Sequence, residues 1–304
     1  MYDFIGDIHG HADKLEALLT KLGYSVQNGV YQHPTRKAFF IGDYIDRGPF
    51  IRETLQIVRS MIEHGNAIGL MGNHEYNAIC FHYPESSGGH LRKHKIKNII
   101  QHYDTINQFQ NRQSEYEDYI NWFKTLPVFY ETDEFRAVHA CWDQDNIDCL
   151  KSQPMYDAKL TEELIYESVS KGSRFNIAIE ETLKGKEISM PPGLTFTDKD
   201  GEVRKEIRIK WWEDPCKISY KNISMEPLDS LPDTSVDTSF LKSTNFYAED
   251  KKPVFFGHYW LKGNPSIDRN NICCLDYSVA KEGKLVAYRF DGEQVLSNEK
   301  LVYV

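Results

Sequence analysis

The sequence predicts an α/β fold in which a parallel sheet carries a polar site at the carboxyl ends of its strands. Strand and helix patterns alternate through the first third of the chain, and each of the first three strands runs into a loop rich in Asp, His and Asn. Such alternation is typical of parallel strands joined by right-handed crossovers. Sites in open α/β sheets form beyond the carboxyl ends of the strands. We therefore expect the three loops to converge on one spot.

The first strand is the apolar run YDFIG, and an amphipathic helix with leucines at helical spacing follows it and ends at a glycine. The second strand is KAFFIG, the second helix is IRETLQIVRSMIEHG, and the third strand is AIGLMG. Residues 91–125 are predicted to be mostly helical and contain a cluster of basic residues and histidines. Further strands are predicted at PVFYE, FRAVHA, KPVFFGHYW, NICCLDY and KLVAYRF.

Residues 144–250 differ from the rest of the chain because their hydrophobic periodicity is weaker and they contain the acidic loop EPLDSLPDTSVDTS. We interpret 144–250 as an insertion or cap within a single domain. The catalytic core then consists of residues 1–143 plus 251–304.

The composition is that of a soluble globular protein with one sizeable core: 304 residues, 40% of them hydrophobic and 27% charged. The net charge of -9 makes long nucleic acids poor partners. No apolar run approaches the roughly 20 residues that span a bilayer, and the first residues lack a signal-peptide pattern, so no membrane partner is expected. The six cysteines are scattered, and we expect thiols and a cytoplasmic location.

Polar residues at strand ends form the candidate metal site. They are Asp7, His9, Asp43, Asn73, His139 and His258. Two carboxylates, three imidazoles and a carboxamide suit two divalent first-row ions, with Mn favoured and Fe or Zn as alternatives.

The expected arrangement divides these ligands between two ions. Asp7 and His9 are two residues apart, so in extended backbone their side chains leave on one face and can hold the same ion. Asp43, central among the three loops, is the expected bridge, because a shared carboxylate reduces the repulsion between two cations. Asn73 would then complete the ligand set of the second ion together with His139 and His258.

The stretch FFIGDYIDRG adds candidates for catalysis next to this site. Arg47 can bind phosphate oxygens with its planar guanidinium. Asp46 needs a cationic partner, and pairing with His74 of the next loop would favour the imidazolium, a candidate general acid. A water shared by two metal ions becomes hydroxide at neutral pH and can attack phosphorus in line.

The motifs GDIHG, GDYIDRG and GNHE, the strand-final His139 in VHA and the Gly257–His258 pair resemble those of the calcineurin-like metallophosphoesterases. The GDxxDRG form resembles the phosphoprotein-phosphatase branch, which includes bacterial diadenosine-tetraphosphatase-like and PrpE-like enzymes. The resemblance covers residues 1–83, 121–143 and 253–291. It implies a two-sheet β-sandwich flanked by helices, and it implies the metal-ligand and catalytic roles assigned above.

The sequence departs from that branch in residues that bind phosphate. Met71 stands where Ser/Thr phosphatases carry an arginine before the GN, and Tyr76 and Asn77 follow the GNHE motif where another arginine is usual. Additional phosphate-binding groups must come from elsewhere. The candidate substrate-binding residues are Arg47, Arg92 or its neighbour Lys93, Arg174 in the insertion, and Tyr259 as a stacking surface for a nucleobase.

Three functions remain open at this point. The first is hydrolysis of a phosphate ester or anhydride in a nucleotide or another small phosphorylated molecule, which the insertion favours because it can cover a small ligand. The second is Ser/Thr protein phosphatase activity, which the missing arginine disfavours. The third is a non-catalytic metal-binding scaffold, which the complete set of ligand candidates disfavours.

Overall fold

The protein is represented by a computed structural model, which describes residues 1–197, 201, 203–241 and 243–304. The strands in these ranges are β1 (Tyr2–Ile5), β2 (Ser25–Gln27), β3 (Val30–Gln32), β4 (Lys37–Phe40), β5 (Ala67–Gly69), β6 (Phe129–Glu131), β7 (Arg136–Val138), β8 (Glu187–Ser189), β9 (Phe196–Thr197), β10 (Val203–Arg204), β11 (Glu206–Arg208), β12 (Val254–Phe256), β13 (Ile272–Cys274), β14 (Asp276–Tyr277), β15 (Lys284–Phe290) and β16 (Leu301–Tyr303).

The α-helices of the described ranges are α1 (Ala12–Leu22), α2 (Ile51–Glu63), α3 (Asn73–His82), α4 (Ile96–Gln108), α5 (Gln113–Phe123), α6 (Gln144–Lys151), α7 (Glu162–Ser168), α8 (Arg174–Lys184) and α9 (Tyr220–Ile223). Short 3₁₀ turns span Thr238–Phe240, Val279–Lys281 and Asn298–Lys300. Within the described ranges, no helix has both the length and the apolar character that crossing a bilayer requires.

The three strands predicted first form the parallel part of the larger sheet. Among the described residues this sheet has six strands, in the order β14–β15–β1–β4–β5, with β16 pairing to β15. β1, β4 and β5 pair in parallel, as the alternation of strands and helices predicts. β15 joins β1 in the antiparallel direction. A second sheet of the described residues has four strands, in the order β13–β12–β7–β6.

The two sheets pack face to face through aromatic side chains. Phe4 of β1 stacks on Phe255 of β12, with ring centroids 3.7 Å apart, and Phe135 contacts the edge of Phe4 at 5.0 Å. These rings are fully buried. Face-to-face packing of two sheets through interdigitated side chains is the arrangement of a β-sandwich, so the predicted sandwich is confirmed.

The outer faces of the sandwich are covered by helices. Ile5 and Phe40 follow Phe4 and Phe39 in their strands and therefore point to the opposite face. They lie in a second apolar cluster with side chains of α1 and α2. The carboxyl ends of β1, β4 and β5 are thereby held between two apolar layers, which fixes the loops that follow them.

Residues 144–250 divide between two cores. The helices α6, α7 and α8 bury Ile147, Ile165 and Ile179 in the large cluster beside the sandwich. The segment from β8 onward has a small cluster of its own, which includes Ile207 of β11 and Ile223 of α9. The boundary at residue 144 stays a prediction, and the packing ties the first part of the insertion to the main core.

Candidate metal centre

The loops after five strands bring the six predicted metal ligands together in the interior, where each is at most 6% exposed. Asp7 and His9 follow β1, Asp43 follows β4, Asn73 follows β5, His139 follows β7 and His258 follows β12. The convergence expected from the carboxyl ends of the strands is therefore present in the structure.

The loops hold several of these residues in the left-handed backbone region. The φ angles are 45° at His9, 55° at Asp43 and 76° at His258, and 68° at Asp46 and 71° at Arg47. Each non-glycine residue in this region costs roughly 1–2 kcal/mol, and such strain concentrates at functional sites. The φ of His9 also means that Asp7 and His9 are not joined by extended backbone, so the reason given for their sharing one ion does not hold.

Asp43 occupies the centre of the cluster. Its Oδ2 lies 3.5 Å from Nε2 of His9, and its Oδ1 lies 3.4 Å from Nε2 of His139. Within the described residues, the groups that could hold an ion are His9–Asp43–His74 and Asp43–His139–His258. Asp43 belongs to both, as a bridging carboxylate must, whereas His74 stands in the first group and Asp7 stands in neither.

Backbone carbonyls orient two of the imidazoles for metal binding. Nδ1–H of His9 donates to the carbonyl of Ile45 at 2.9 Å, and Nδ1–H of His139 donates to the carbonyl of Ile41 at 3.0 Å. Each ring therefore presents Nε2 toward Asp43. Metal-binding histidines are generally held in this way through their second nitrogen.

Several polar atoms of the cluster are buried and have no hydrogen-bond partner in the described part of the chain: Asp7 Oδ1, His9 Nε2 and His258 Nε2. A buried polar group that lacks a partner costs roughly 1–3 kcal/mol. Imidazole nitrogens and carboxylate oxygens are the ligands of divalent first-row metals. The residues present therefore fit a pair of metal ions.

The second group is completed by contacts with the Asn73 carboxamide. Oδ1 of Asn73 lies 3.0 Å from Nε2 of His139 and 2.8 Å from Nδ1 of His258. Oδ2 of Asp7 accepts the backbone N–H of His258 at 3.0 Å, which joins the β1 and β12 loops. Gly257 permits this approach, because a Cβ there would lie 1.9 Å from Oδ1 of Asp7.

Burial and the neighbouring charges set the pKa values of the metal-free cluster. Burial, and then the Arg47 guanidinium, lower the pKa of His9 well below its ordinary value. Burial also lowers the pKa of His139, but the Asp43 carboxylate, together with Asp7 and the carbonyl of Ile41, outweighs it and raises that pKa to about 10. The proton on His139 thus supplies positive charge at the place where a metal ion would supply it.

Glu75 holds the Asp43 loop in place, a role that sequence reasoning missed. Its carboxylate is fully buried and accepts the backbone N–H groups of Asp43 at 2.9 Å, Tyr44 at 2.8 Å and Gly72 at 3.0 Å. Burial, together with the Asp43 charge, raises the pKa of Glu75 to about 8. The glutamate of the GNHE motif therefore fixes the backbone that carries the bridging carboxylate.

Beside the metal cluster, Asp46, Arg47 and His74 lie in direct contact. Oδ2 of Asp46 accepts Nδ1–H of His74 at 2.5 Å, the pairing predicted from the sequence. Arg47 donates from Nη2 to Nε2 of His74 at 3.2 Å. Because a guanidinium only donates, Nε2 of His74 accepts and the ring carries its proton on Nδ1. The Arg47 guanidinium also lies over the ring of Trp260, 4.0 Å from its centroid.

The other predicted substrate-binding residues are bonded to neighbouring side chains or lie in the core. Arg92 donates to the side chains of Asn77 at 2.8 Å and Gln101 at 2.7 Å. Arg174 donates to Asn146 of α6 at 2.7 Å. Tyr259 is only 7% exposed and packs edge-on against neighbouring core rings. It therefore offers no open face to a nucleobase, and this expectation is corrected.

Arg208, at the end of β11 in the insertion, was not singled out in the sequence. After burial, its guanidinium is the strongest influence lowering the pKa of His258. Among the described residues its Nε is buried without a hydrogen-bond partner, and a carboxylate oxygen of Glu187 lies 3.7 Å away. The weak periodicity of this region gave no signal that could have identified it.

The sandwich fold and the buried His/Asp cluster at its strand ends define the class of protein, a metal-dependent phosphoesterase. The family model of calcineurin-like phosphoesterases matches residues 2–258, and the chain belongs to that family. The fold and enzyme class predicted from the motifs are thereby confirmed.

Curated relatives include two bacterial proteins named asymmetrical bis(5'-nucleosyl)-tetraphosphatase PrpE. The one from Oceanobacillus iheyensis is 28% identical over 139 residues, which are 45% of this chain and 54% of the relative. The one from Bacillus thuringiensis is 31% identical over 150 residues, which are 48% of this chain and 59% of the relative. This chain therefore matches little more than half the length of these relatives.

Among solved structures, a candidate diadenosine tetraphosphatase matches with a TM-score of 0.46 and 16% identity, over 100% of this chain and 92% of that chain. A protein serine/threonine phosphatase from Saccharomyces cerevisiae also has a TM-score of 0.46, with 13% identity over 100% of this chain and 78% of that chain. The family assignment rests on the family model and not on these two structures.

Proposed function

We propose that the protein hydrolyses a phosphate ester or anhydride bond in a nucleotide or another small phosphorylated molecule, with two divalent ions as cofactors. The observation that carries this proposal is the position of Asp43, whose two oxygens face the imidazoles of His9 and His139 separately. We propose Mn as the native metal, with Fe and Zn as alternatives, because the ligand set mixes imidazole nitrogen and carboxylate oxygen.

In this proposal, Asp43 would serve as a ligand of both ions. His9 would help to hold one ion, and His139 with Asn73 and His258 would hold the other. Asp7 would contribute its buried Oδ1. When bound, the ions supply positive charge that polarises the reacting phosphoryl group. Glu75 would keep the Asp43 backbone fixed while the metal ions bind.

Two arginines are proposed to bind the phosphoryl oxygens. Arg47 is part of the catalytic loop and lies against His74. Arg208, in the insertion, lowers the pKa of His258 through its charge, and among the described residues its buried Nε has no hydrogen-bond partner, so it can donate to an anion. A guanidinium can donate two parallel hydrogen bonds to phosphate oxygens. Arg208 would thus bind phosphate in place of the arginine that usually follows GNHE in Ser/Thr phosphatases and is absent here.

His74 is proposed as the general acid, with Asp46 holding its ring. In the structure, Arg47 donates to Nε2 of His74, so a proton can reside on Nε2 only after Arg47 has turned toward a phosphate. A water oxygen then forms a bond to phosphorus while the bond to the leaving oxygen breaks, and Nε2–H of His74 gives its proton to the leaving oxygen. Asp46 keeps accepting Nδ1–H, which stabilises the positive charge on the ring until that proton is given up.

The substrate class rests on two supports. Curated relatives are named as tetraphosphatases of bis-nucleosyl substrates, and the insertion contributes the Arg208 charge that lowers the pKa of His258, as expected for a cover over a small ligand. A phosphoprotein substrate remains an outcome of the test. The cytoplasmic location predicted from the cysteines also stays a prediction.

Product analysis on Mn-reconstituted protein tests the proposal. Diadenosine tetraphosphate and a phosphothreonine peptide are offered side by side, with metal-stripped protein as the control. Fast Mn-dependent cleavage of the dinucleotide, with slow or no peptide turnover, is expected. Preferential peptide hydrolysis would make the protein a protein phosphatase, and no Mn-dependent turnover of either substrate would contradict the proposal.

A further inference from the structure

The carboxylate of Asp46 is held by α4 as well as by His74. Oδ1 of Asp46 accepts Nδ1–H of His102 at 2.7 Å and the hydroxyl of Thr105 at 2.5 Å. The same Thr105 hydroxyl accepts the backbone N–H of Asp46 at 3.0 Å. Both oxygens of Asp46 are thus occupied, one by His74 and the other by α4.

The contact extends along the loop that contains Asp46. Gln108, one helical turn beyond Thr105, accepts the backbone N–H of Ile51 at 2.7 Å and donates to the carbonyl of Gly48 at 3.0 Å. Residues three apart on a helix lie on the same face. One face of α4, formed by His102, Thr105 and Gln108, therefore binds the segment from Asp46 to Ile51.

The orientation of α4 is the reverse of that of an ordinary amphipathic helix. Its buried residues are His102 and Thr105, whereas Ile96 and Ile100 are 78% and 68% exposed and Tyr103 is 56% exposed. Burial of apolar surface would favour turning the helix the other way. The polar contacts of α4 with the segment from Asp46 to Ile51 must outweigh that preference.

His102 is itself held by a further chain of contacts. Its Nε2 contacts the hydroxyl of Tyr116 on α5, and the same hydroxyl lies 3.0 Å from Nε2 of His82 at the end of α3. The helix α3, which contains His74, is thus linked to Asp46 through α5 and α4. The ring of His102 has both nitrogens engaged and cannot turn without losing one contact.

We propose that His102 and Thr105 are positioning residues that hold the Asp46 carboxylate in line with Nδ1 of His74. The proposal rests on the proposed function, because it assumes that His74 is the general acid. Asp46 and Arg47 both have left-handed backbone, and the loop requires external contacts to keep this strained geometry. The α4 contacts supply them from outside the metal cluster.

The test uses Mn-reconstituted full-length protein and two probe substrates. Phenyl phosphate has a poor leaving group that needs a proton, and p-nitrophenyl phosphate has a good one that needs little help. For H102A, we expect kcat on phenyl phosphate to fall about tenfold to a hundredfold, which is at or below the contribution of roughly a hundredfold to ten-thousandfold from a complete general acid, because His74 itself stays in place. The rate on p-nitrophenyl phosphate, KM and metal content should change little. H102N, which keeps a donor, should recover part of the loss.

Matched variants separate positioning from a general loss of structure. I100Q changes an exposed residue of the same helix and should leave both rates unchanged. T105S keeps the hydroxyl and should resemble the wild type, whereas T105V removes it and should resemble H102A. In an H74A background, H102A should cause no further loss, because the group that it positions is gone.

The outcomes distinguish the inference from the proposed function. Equal losses on both substrates in H102A, or a further loss in the H74A background, would overturn the positioning role. An effect of H74A with none from H102A would also overturn it and leave the proposed function intact. Absence of Mn-dependent turnover in the wild type would overturn both.

Discussion

Glu75 accepts the backbone N–H of Asp43 at 2.9 Å, so the glutamate of the GNHE motif fixes the residue that stands between the two candidate metal positions. The same carboxylate also accepts the backbone N–H of Tyr44, the next residue in that loop, and that of Gly72, in the loop after β5. The bridging carboxylate is therefore held from behind by a buried side chain that is not itself a proposed metal ligand.

Glu75→Gln is expected to loosen this support. An amide nitrogen cannot accept a hydrogen bond, so at least one buried backbone N–H would lose its partner, at a cost of about 1–3 kcal/mol in the free energy of unfolding. Chemical denaturation and metal analysis should show lower stability and lower metal occupancy. Glu53→Gln, at an exposed position of α2, is the matched control, and an E75Q variant that behaves like it would contradict this role.

Arg208→Ala is expected to weaken phosphate binding from the insertion. A charged hydrogen bond contributes about 1.5–3 kcal/mol, roughly tenfold to a hundredfold in kcat/KM. Arg174 offers a matched control, because it lies in the same insertion and donates to Asn146. Steady-state kinetics should show a large loss for R208A and a small one for R174A. A large loss for R174A with a small one for R208A would contradict this prediction and assign phosphate binding to Arg174.

The motifs predicted the metal cluster because the responsible signal is local. An apolar strand followed by Asp, His or Asn can be recognised within a few residues, and the parallel pairing of β1, β4 and β5 then brings such loops together. The same local information supported the pairing of Asp46 with His74, which the structure shows at 2.5 Å.

The supporting residues could not be predicted because their contacts join distant parts of the chain. His102 belongs to a basic, histidine-rich stretch that has the composition of a solvated helix face, yet it lies against Asp46, 56 residues earlier. Arg208 lies in a region of weak periodicity, and only the fold of the insertion brings its charge close enough to His258 to lower the pKa of that imidazole. The left-handed φ of His9 is equally invisible in the sequence and invalidated the argument from extended backbone.

The pH dependence of stability should include a contribution from Glu131 on β6. Partial burial alone would raise the pKa of Glu131, but ion pairs with Lys151 and Arg136 lower it from 4.5 to about 2. The pKa is lower in the folded state, so this stabilisation is complete above pH 4.5 and is lost as the pH falls through 2. The ion pair with Lys151 also links β6 to the last residue of α6.

Denaturation curves of the wild type and E131Q at several pH values measure this contribution. The difference in the free energy of unfolding should be largest near neutral pH and shrink steadily below pH 4.5. Glu117→Gln, at an exposed position of α5, is the control and should show no such trend. A difference between the wild type and E131Q that grows as the pH falls would contradict the ion-pair account.

The most direct test of the central claim is the metal content of the wild type and of Asp43→Asn after reconstitution with Mn, measured by elemental analysis at known protein concentration. A bridging carboxylate would contact both ions, and in D43N the amide nitrogen cannot bind a metal, so the shared ligand and the negative charge that reduces the repulsion between the two ions are lost together. We predict two ions per chain in the wild type and a loss of both in D43N. Two ions retained in D43N, or at most one ion bound by the wild type, would contradict the claim that Asp43 bridges a dinuclear centre.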